Sequence, residues 1–338
     1  MRASSAVLTD STVRLWDLRL PAARVLLART RAAYVHLDNL IAFSKRDRDG
    51  KVDAYLACYL PDEVALLYFH RGDMVNAAVL TGVGRFTAAI PEALRHIRSE
   101  PERAEIAFHA AEAPLLAAMY ATCQQTPVEL PLNTSSPESI FKTVLEKKVT
   151  GVLELISNAR VNYLCLKDGR FSGGYFADQK PGEPPTQTVA RLFTSTHPEP
   201  LPKVTVKVFP GLPQLPIQAP PAMVGMFRHF VWDLVELAER EAPNDATKRA
   251  EKARARLSSE YDVLRHVGGP RGATLADPIV EPELLAASIA LWTKEFLGEL
   301  EVAHPKVAPK LIKDAAREHR YALAAVKFFE RLPWRIEW

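Results

Sequence analysis

Residues 161–176, VNYLCLKDGRFSGGYF, constrain the fold more than any other stretch of the chain. Asp168-Gly169 is a dipeptide whose two members tolerate positive φ, which a two-residue hairpin turn demands. An alternating apolar run leads into it, and a run ending in the small residues Ser172-Gly173-Gly174 leads out. Such a chain contains an antiparallel sheet. Residues 64–79, VALLYFHRGDMVNAAV, have the same form. Leu66, Leu67, Tyr68 and Phe69 precede the turn Arg71-Gly72, and Asn76-Ala77-Ala78 follow it.

The match extends in both directions. A glycine-led strand precedes each hairpin, DGKVDAYLACYL from Asp49 and TGVLELIS with Gly151 second, and an apolar helix precedes each strand, YVHLDNLIAFSK and PESIFKTVLEKK. A short alternating strand follows, AEIAFH or KVTVKVF, and then another apolar helix. Gly50 to Gly72 spans 22 residues and Gly151 to Gly169 spans 18. The glycine-led match places the difference in a hairpin loop around Pro61-Asp62-Glu63. The expectation is a duplicated unit of helix, three-strand meander, helix, strand and helix.

The stretch VLEKKVTGVLELISNARVNYLCLKDGRFSGGYF resembles the PATAN family, the N-terminal domain of PatA-type bacterial response regulators. The resemblance spans residues 137–178, with a fainter copy over 37–80, where no TG precedes the strand and the second turn is Arg71-Gly72. It implies a protein–protein interaction module in bacterial signalling, motility or polarity, without catalytic residues. The receiver domain often joined to such domains is not visible in this sequence.

Residues 44–56, SKRDRDGKVDAYL, raise the question of a calcium loop. With Gly50 at loop position 6, Asp47 and Asp49 fall correctly at 3 and 5. Position 1 is then Lys45 and position 12 Leu56, so two main ligands are missing. Asp49-Gly50 reads instead as a hairpin turn.

Between Pro181 and Pro221 lie 11 of the 26 prolines. Pro184-Pro185 and its neighbours break helices, so an extended arm is expected, packed on its own protein through Val208, Phe209, Leu212, Leu215 and Ile217. Beyond it the pattern is helical. Met226, Phe227, Phe230, Val231, Leu234 and Leu237 form one stripe. Further helices are expected to Val267, over 282–302 and over 307–331. The fold class is therefore α+β: two repeated small antiparallel-sheet and helix units, 1–130 and 131–242, followed by an α-helical bundle, 243–338.

The charge balance is +3 over 338 residues, too small to imply a polyanion partner. The three cysteines, Cys58, Cys123 and Cys165, form no CxxC pair, which speaks against a disulfide framework and fits a reducing cytoplasm. Arg14, Arg19, Arg24 and Arg29 interrupt any secretory signal, and no apolar run reaches the roughly 20 residues of a membrane span. The histidines form no HExxH or HxH pattern. His319 reads as part of a polar network, and Asp314 and Glu318 share a helix face without the partners of a di-iron site. GGPRGATL, 268–275, lacks the GKS/T ending of a phosphate loop and reads as an interdomain loop. Neither a cofactor nor a metal is expected.

The chain is thus expected to be a non-enzymatic cytoplasmic adaptor whose partner is a response regulator, a small GTPase or another signalling protein. The interaction residues expected at the hairpins are Arg71, Asp73, Lys167 and Arg170. Asp49, Gly50, Gly72, Gly151, Asp168 and Gly169 are expected to be structural turn residues. One alternative is a small-ligand sensor, for instance for a nucleotide, using the cleft between the repeats. Another is a DNA-associated protein using the basic segment TKRAEKARARL, 247–257.

Overall fold

The computed structural model describes residues 3–4, 14–45, 52–130, 136–179, 182–194, 204–211, 214–243, 245–269, 271–273, 275–302 and 306–338. The turn expected at Asp49-Gly50 lies outside these residues. The fold is α+β, with helices and two antiparallel sheets. It divides into a unit from Met1 to Pro216, which holds both sheets, and a helical unit from Ile217 to Trp338.

In the first unit the elements run β1 (Ala3–Ser4), β2 (Arg24–Arg31), α1 (Leu37–Phe43), β3 (Ala54–Tyr59), β4 (Glu63–His70), β5 (Asp73–Thr81), β6 (Gly84–Ala88), α2 (Ile90–Ser99), β7 (Glu105–Ala110) and α3 (Ala113–Gln124). There follow α4 (Pro137–Glu146), β8 (Gly151–Ser157), β9 (Arg160–Lys167), β10 (Arg170–Tyr175), α5 (Pro185–Leu192) and β11 (Thr205–Pro210). The larger sheet has the order β1-β6-β5-β4-β3-β7-β2, and the smaller β10-β9-β8-β11.

Within these sheets two meanders match residue for residue. β3 pairs with β4 from Ala54↔Phe69 to Tyr59↔Val64, and β8 with β9 from Gly151↔Leu166 to Ile156↔Val161. Arg71 and Gly72 have φ of 50° and 78°, and Asp168 and Gly169 have φ of 51° and 76°, so both second turns place two successive residues in the left-handed region. The third strands share a bulge, between Phe69↔Met74 and Tyr68↔Asn76 in one and between Leu166↔Phe171 and Cys165↔Gly173 in the other. The fourth strand returns beside the first in both, β7 against β3 and β11 against β8. Ala54, not Gly50, is therefore the counterpart of Gly151, and the meanders are equal in length. The extra residues lie between α1 and β3 rather than in the loop around Pro61-Asp62-Glu63.

Each turn also sits on the helix that precedes its meander. A Cβ on Gly72 would lie 2.6 Å from the Ser44 carbonyl oxygen, and one on Gly169 would lie 2.6 Å from that of Val144. Only glycine admits both this approach and this φ.

Alternation along the strands decides what each face covers. Leu56, Cys58, Leu67 and Phe69 pack with Ile90, Ala93 and Ile97 of α2. On the opposite face, Tyr55, Tyr59, Leu66 and Tyr68 meet α3, through Leu115, Met119 and Tyr120, and also Val152, Ile156 and Tyr163 of the smaller sheet. The outer face of the smaller sheet, Leu153, Leu155, Leu164 and Leu166, is covered by Ile140 and Val144 of α4 and Val189 of α5.

α5 corrects the expectation of an unbroken extended arm. Pro185 occupies its first turn, where the missing N–H would be unpaired in any case. Prolines likewise open α2, α3 and α4.

The helical unit contains α6 (Pro221–Glu241), α7 (Ala246–Leu257), α8 (Pro282–Glu301), α9 (Val307–Ala315) and α10 (Arg320–Ala325). Phe227, Phe230 and Leu234 of α6 share one core with Leu285, Ile289 and Phe296 of α8, Leu311 of α9 and Phe328. The division at 216/217 thus falls inside the second segment drawn from sequence, and α6 belongs with the later helices. The helix expected to reach Val267 ends at Leu257, where Ser258 turns its hydroxyl back onto the Arg254 carbonyl at 2.7 Å. The helix expected over 307–331 is divided into α9, α10 and short 3₁₀ turns.

Candidate functional site

β5 and β10 hold equivalent places in their meanders but have different neighbours. β5 is covered by β6, which in turn pairs with β1. β10 pairs with β9 alone among the described residues. It is therefore an open edge, with backbone groups that can pair with another chain. Arg170, Phe171 and Ser172 are exposed on it, and the Ser172 hydroxyl donates to the Cys165 carbonyl at 3.0 Å beside the bulge.

The C-terminal end of α4 runs beside this edge, and a groove of about 570 Å³ lies between them. Leu145 (53% exposed) and Phe171 (43% exposed) are its apolar parts. Lys148, Lys167 and Arg170 bring three cations and Asp168 one anion. None of the three cations is in an ion pair among the described residues. The Asp168 backbone N–H donates to Thr150 Oγ1 at 2.9 Å, which fixes the turn.

The four expected interaction residues divide between the sheets. Lys167 and Arg170 line the open groove. Arg71 and Asp73 flank the other turn, where Asp73 pairs with Lys45 at 3.1 Å and the Arg71 backbone N–H donates to Asp53 at 2.6 Å.

In α7 the basic residues are largely engaged. Arg249 pairs with Asp245, Lys252 with Glu299, Arg254 with Glu251 and Arg256 with Glu295. Gly268 and Gly269 lie within the helical unit rather than between domains, and with Trp232, Trp292 and Arg254 they line a cavity of about 480 Å³. His319 stacks on His229, with ring centroids 5.9 Å apart, and Asp314 pairs with Arg317 at 2.8 Å. Among the described residues no group of three His, Cys, Asp or Glu side chains is placed to hold a metal ion, and no helix is long and apolar enough to cross a membrane.

The sequence reading missed a buried ion pair. Arg85 of β6 donates to both carboxylate oxygens of Glu154 of β8, at 2.6 and 2.8 Å, and the side chains are 1% and 0% exposed. Burial opposes the Arg85 charge, but Glu154 outweighs it and holds the guanidinium above its ordinary range. Burial, reinforced by the Glu154 charge, pushes the Tyr163 phenol up. The signal was Glu154 itself, a charge inside the apolar run GVLELIS. Burial also pushes the Cys58 and Cys123 thiols up to about 12 and about 11, so both are neutral and unreactive near pH 7.

No protein-family model, curated protein or solved structure matches the chain.

Proposed function

We propose that the protein is a non-enzymatic interaction module that docks an extended, acidic segment of a partner protein along β10. The observation that carries this reading is the open β10 edge, flanked by Leu145 and Phe171 and by three cations that have no ion-pair partner among the described residues. A docked strand satisfies the edge's backbone groups, the apolar pair supplies side-chain contact, and acidic residues match Lys148, Lys167 and Arg170. The resemblance to PATAN domains supports the same role and suggests a partner among cytoplasmic signalling proteins of the response-regulator or small-GTPase kind. The shared strand order of the two meanders is what a tandem of such units would have. On this reading the first copy has its edge closed by β6 and β1, and the second keeps its edge for the partner. The engaged cations of α7 argue against the DNA-associated alternative.

The test uses a library of extended acidic peptides, with K148E/K167E/R170E beside the unchanged chain. Binding should slow hydrogen exchange at the amides of 170–175, and the triple variant should lose it while R71E/D73R keeps it. Peptides that bind both variants alike, or that protect other segments, would refute docking at β10.

A further inference from the structure

We infer that the helical unit binds a neutral, aromatic small molecule in the cavity between α6, α7 and the glycines Gly268 and Gly269. The site is separate from β10 and stands or falls independently of docking there.

The glycine-rich stretch that lacks the ending of a phosphate loop builds one side of this cavity. Its volume of about 480 Å³ lies within the range of small-molecule sites, about 300–1,000 Å³. Packed helices leave few spaces larger than a water molecule, so a recess of this size persists only where its walls are pinned. Four side chains pin them. Trp232 of α6 donates its indole N–H to the Gly269 carbonyl at 3.0 Å. Trp292 of α8 donates to the Ala250 carbonyl of α7 at 3.1 Å, and its ring stacks on Phe296 with centroids 5.3 Å apart. Arg271 reaches back to α6, donating to Asp233 at 2.9 Å and to Glu236 at 3.1 Å. Arg254 of α7 is tied to Glu251 and lies in the space that a side chain on residue 268 would fill.

The lining selects the occupant. Most of its accessible surface is apolar, with Val231, Trp232, Val235 and Ala250 among its members. Its polar groups are already engaged. Both indole N–H groups are spent on backbone carbonyls. Glu236 is paired with Arg271 and Glu251 with Arg254, and Glu239 accepts from the Thr247 backbone N–H and hydroxyl, both at 2.8 Å. A charged ligand would break one of these contacts or enter unpaired against apolar walls, and either is costly. A neutral body disturbs none of them. Trp232 is half-buried with its N–H turned to Gly269, so its contribution to the cavity is ring surface. An aromatic ligand gains more against such a ring than a saturated one of the same size.

The test is calorimetric titration of the full chain with 2-naphthol, its saturated counterpart decahydro-2-naphthol, 2-naphthoate and 2-naphthylmethylammonium at pH 7. 2-Naphthol should bind one to one below millimolar concentration. The saturated alcohol should bind about threefold or more weakly, and both ions about tenfold or more weakly. V235W, which places an indole in the cavity from α6, should abolish binding, with thermal melting to establish that it folds. A second readout locates the ligand without that variant. In the chain labelled with 5-fluorotryptophan, 2-naphthol should shift the fluorine resonance of Trp232, assigned with W232F, and leave that of Trp16 in the first unit in place. The inference fails if 2-naphthol does not bind, if either ion or the saturated alcohol binds as tightly, if folded V235W binds like the unchanged chain, or if the Trp232 resonance stays in place at saturation.

Discussion

Removing either half of the Arg85–Glu154 pair leaves the other half as an unpaired charge sealed from water. R85M or E154Q alone should therefore cost about 3–5 kcal/mol of stability, whereas apolar replacement of both should cost far less than the two singles together. Urea unfolding of the four members of this double-mutant cycle measures the coupling. Additive losses would show that each side chain matters for its packing and not for the pair. Burial is the main reason that Tyr163 and Cys123 stay neutral; the Glu154 charge adds to it, and the Arg85 charge opposes it.

The hairpin turns are where sequence and structure agree best, and one glycine tests why. Gly169 has φ of 76° and lies against the Val144 carbonyl, so Gly169→Ala meets both an unfavourable backbone and a steric contact. It should lose about 1–3 kcal/mol in thermal or urea unfolding. Gly173→Ala, where an added Cβ meets nothing within 4 Å, should change stability little. Equal losses would place the demand for glycine in β10 rather than in the turn. These turns were legible because turn chemistry and strand alternation are local. Three other features were not. Pro185 stops a helix and starts one with the same ring, and only the residues that follow decide which. The extra residues before β3 were misplaced because a glycine at 50 resembles the glycine at 151, whereas pairing register identifies Ala54. The closure of the β5 edge by β6 and β1, which separates a covered edge from an open one, is a long-range pairing that no local pattern announces. Of the candidate site, Lys167 and Arg170 were legible from their turn, but Lys148, Leu145 and Phe171 needed the approach of α4 to β10.

At the scale of the whole chain, the placement of α6 decides which pieces fold by themselves. From periodicity alone α6 closes the second sheet unit, and a helical domain begins at 243. In the structure its stripe of Val224, Met226, Phe227, Phe230, Val231 and Leu234 is buried within the helical unit's own core. Phe328 packs edge-on against Phe227 and Phe230, with centroids 5.6 and 5.0 Å apart. Burying each such side chain stabilises by about 1.5–3 kcal/mol. Six of them together rival the about 5–15 kcal/mol net stability of a typical domain. A fragment of residues 217–338 should therefore unfold cooperatively in urea with helical circular dichroism, and one of 243–338 should show no cooperative transition. The complementary fragment 1–216 keeps all of its sheet pairings and should also unfold cooperatively. A sharp transition in 243–338 would mean that α7 to α10 form a core without α6, and the boundary at 242 would then be the physical one. Failure of both helical fragments would mean that this core needs the first unit to fold.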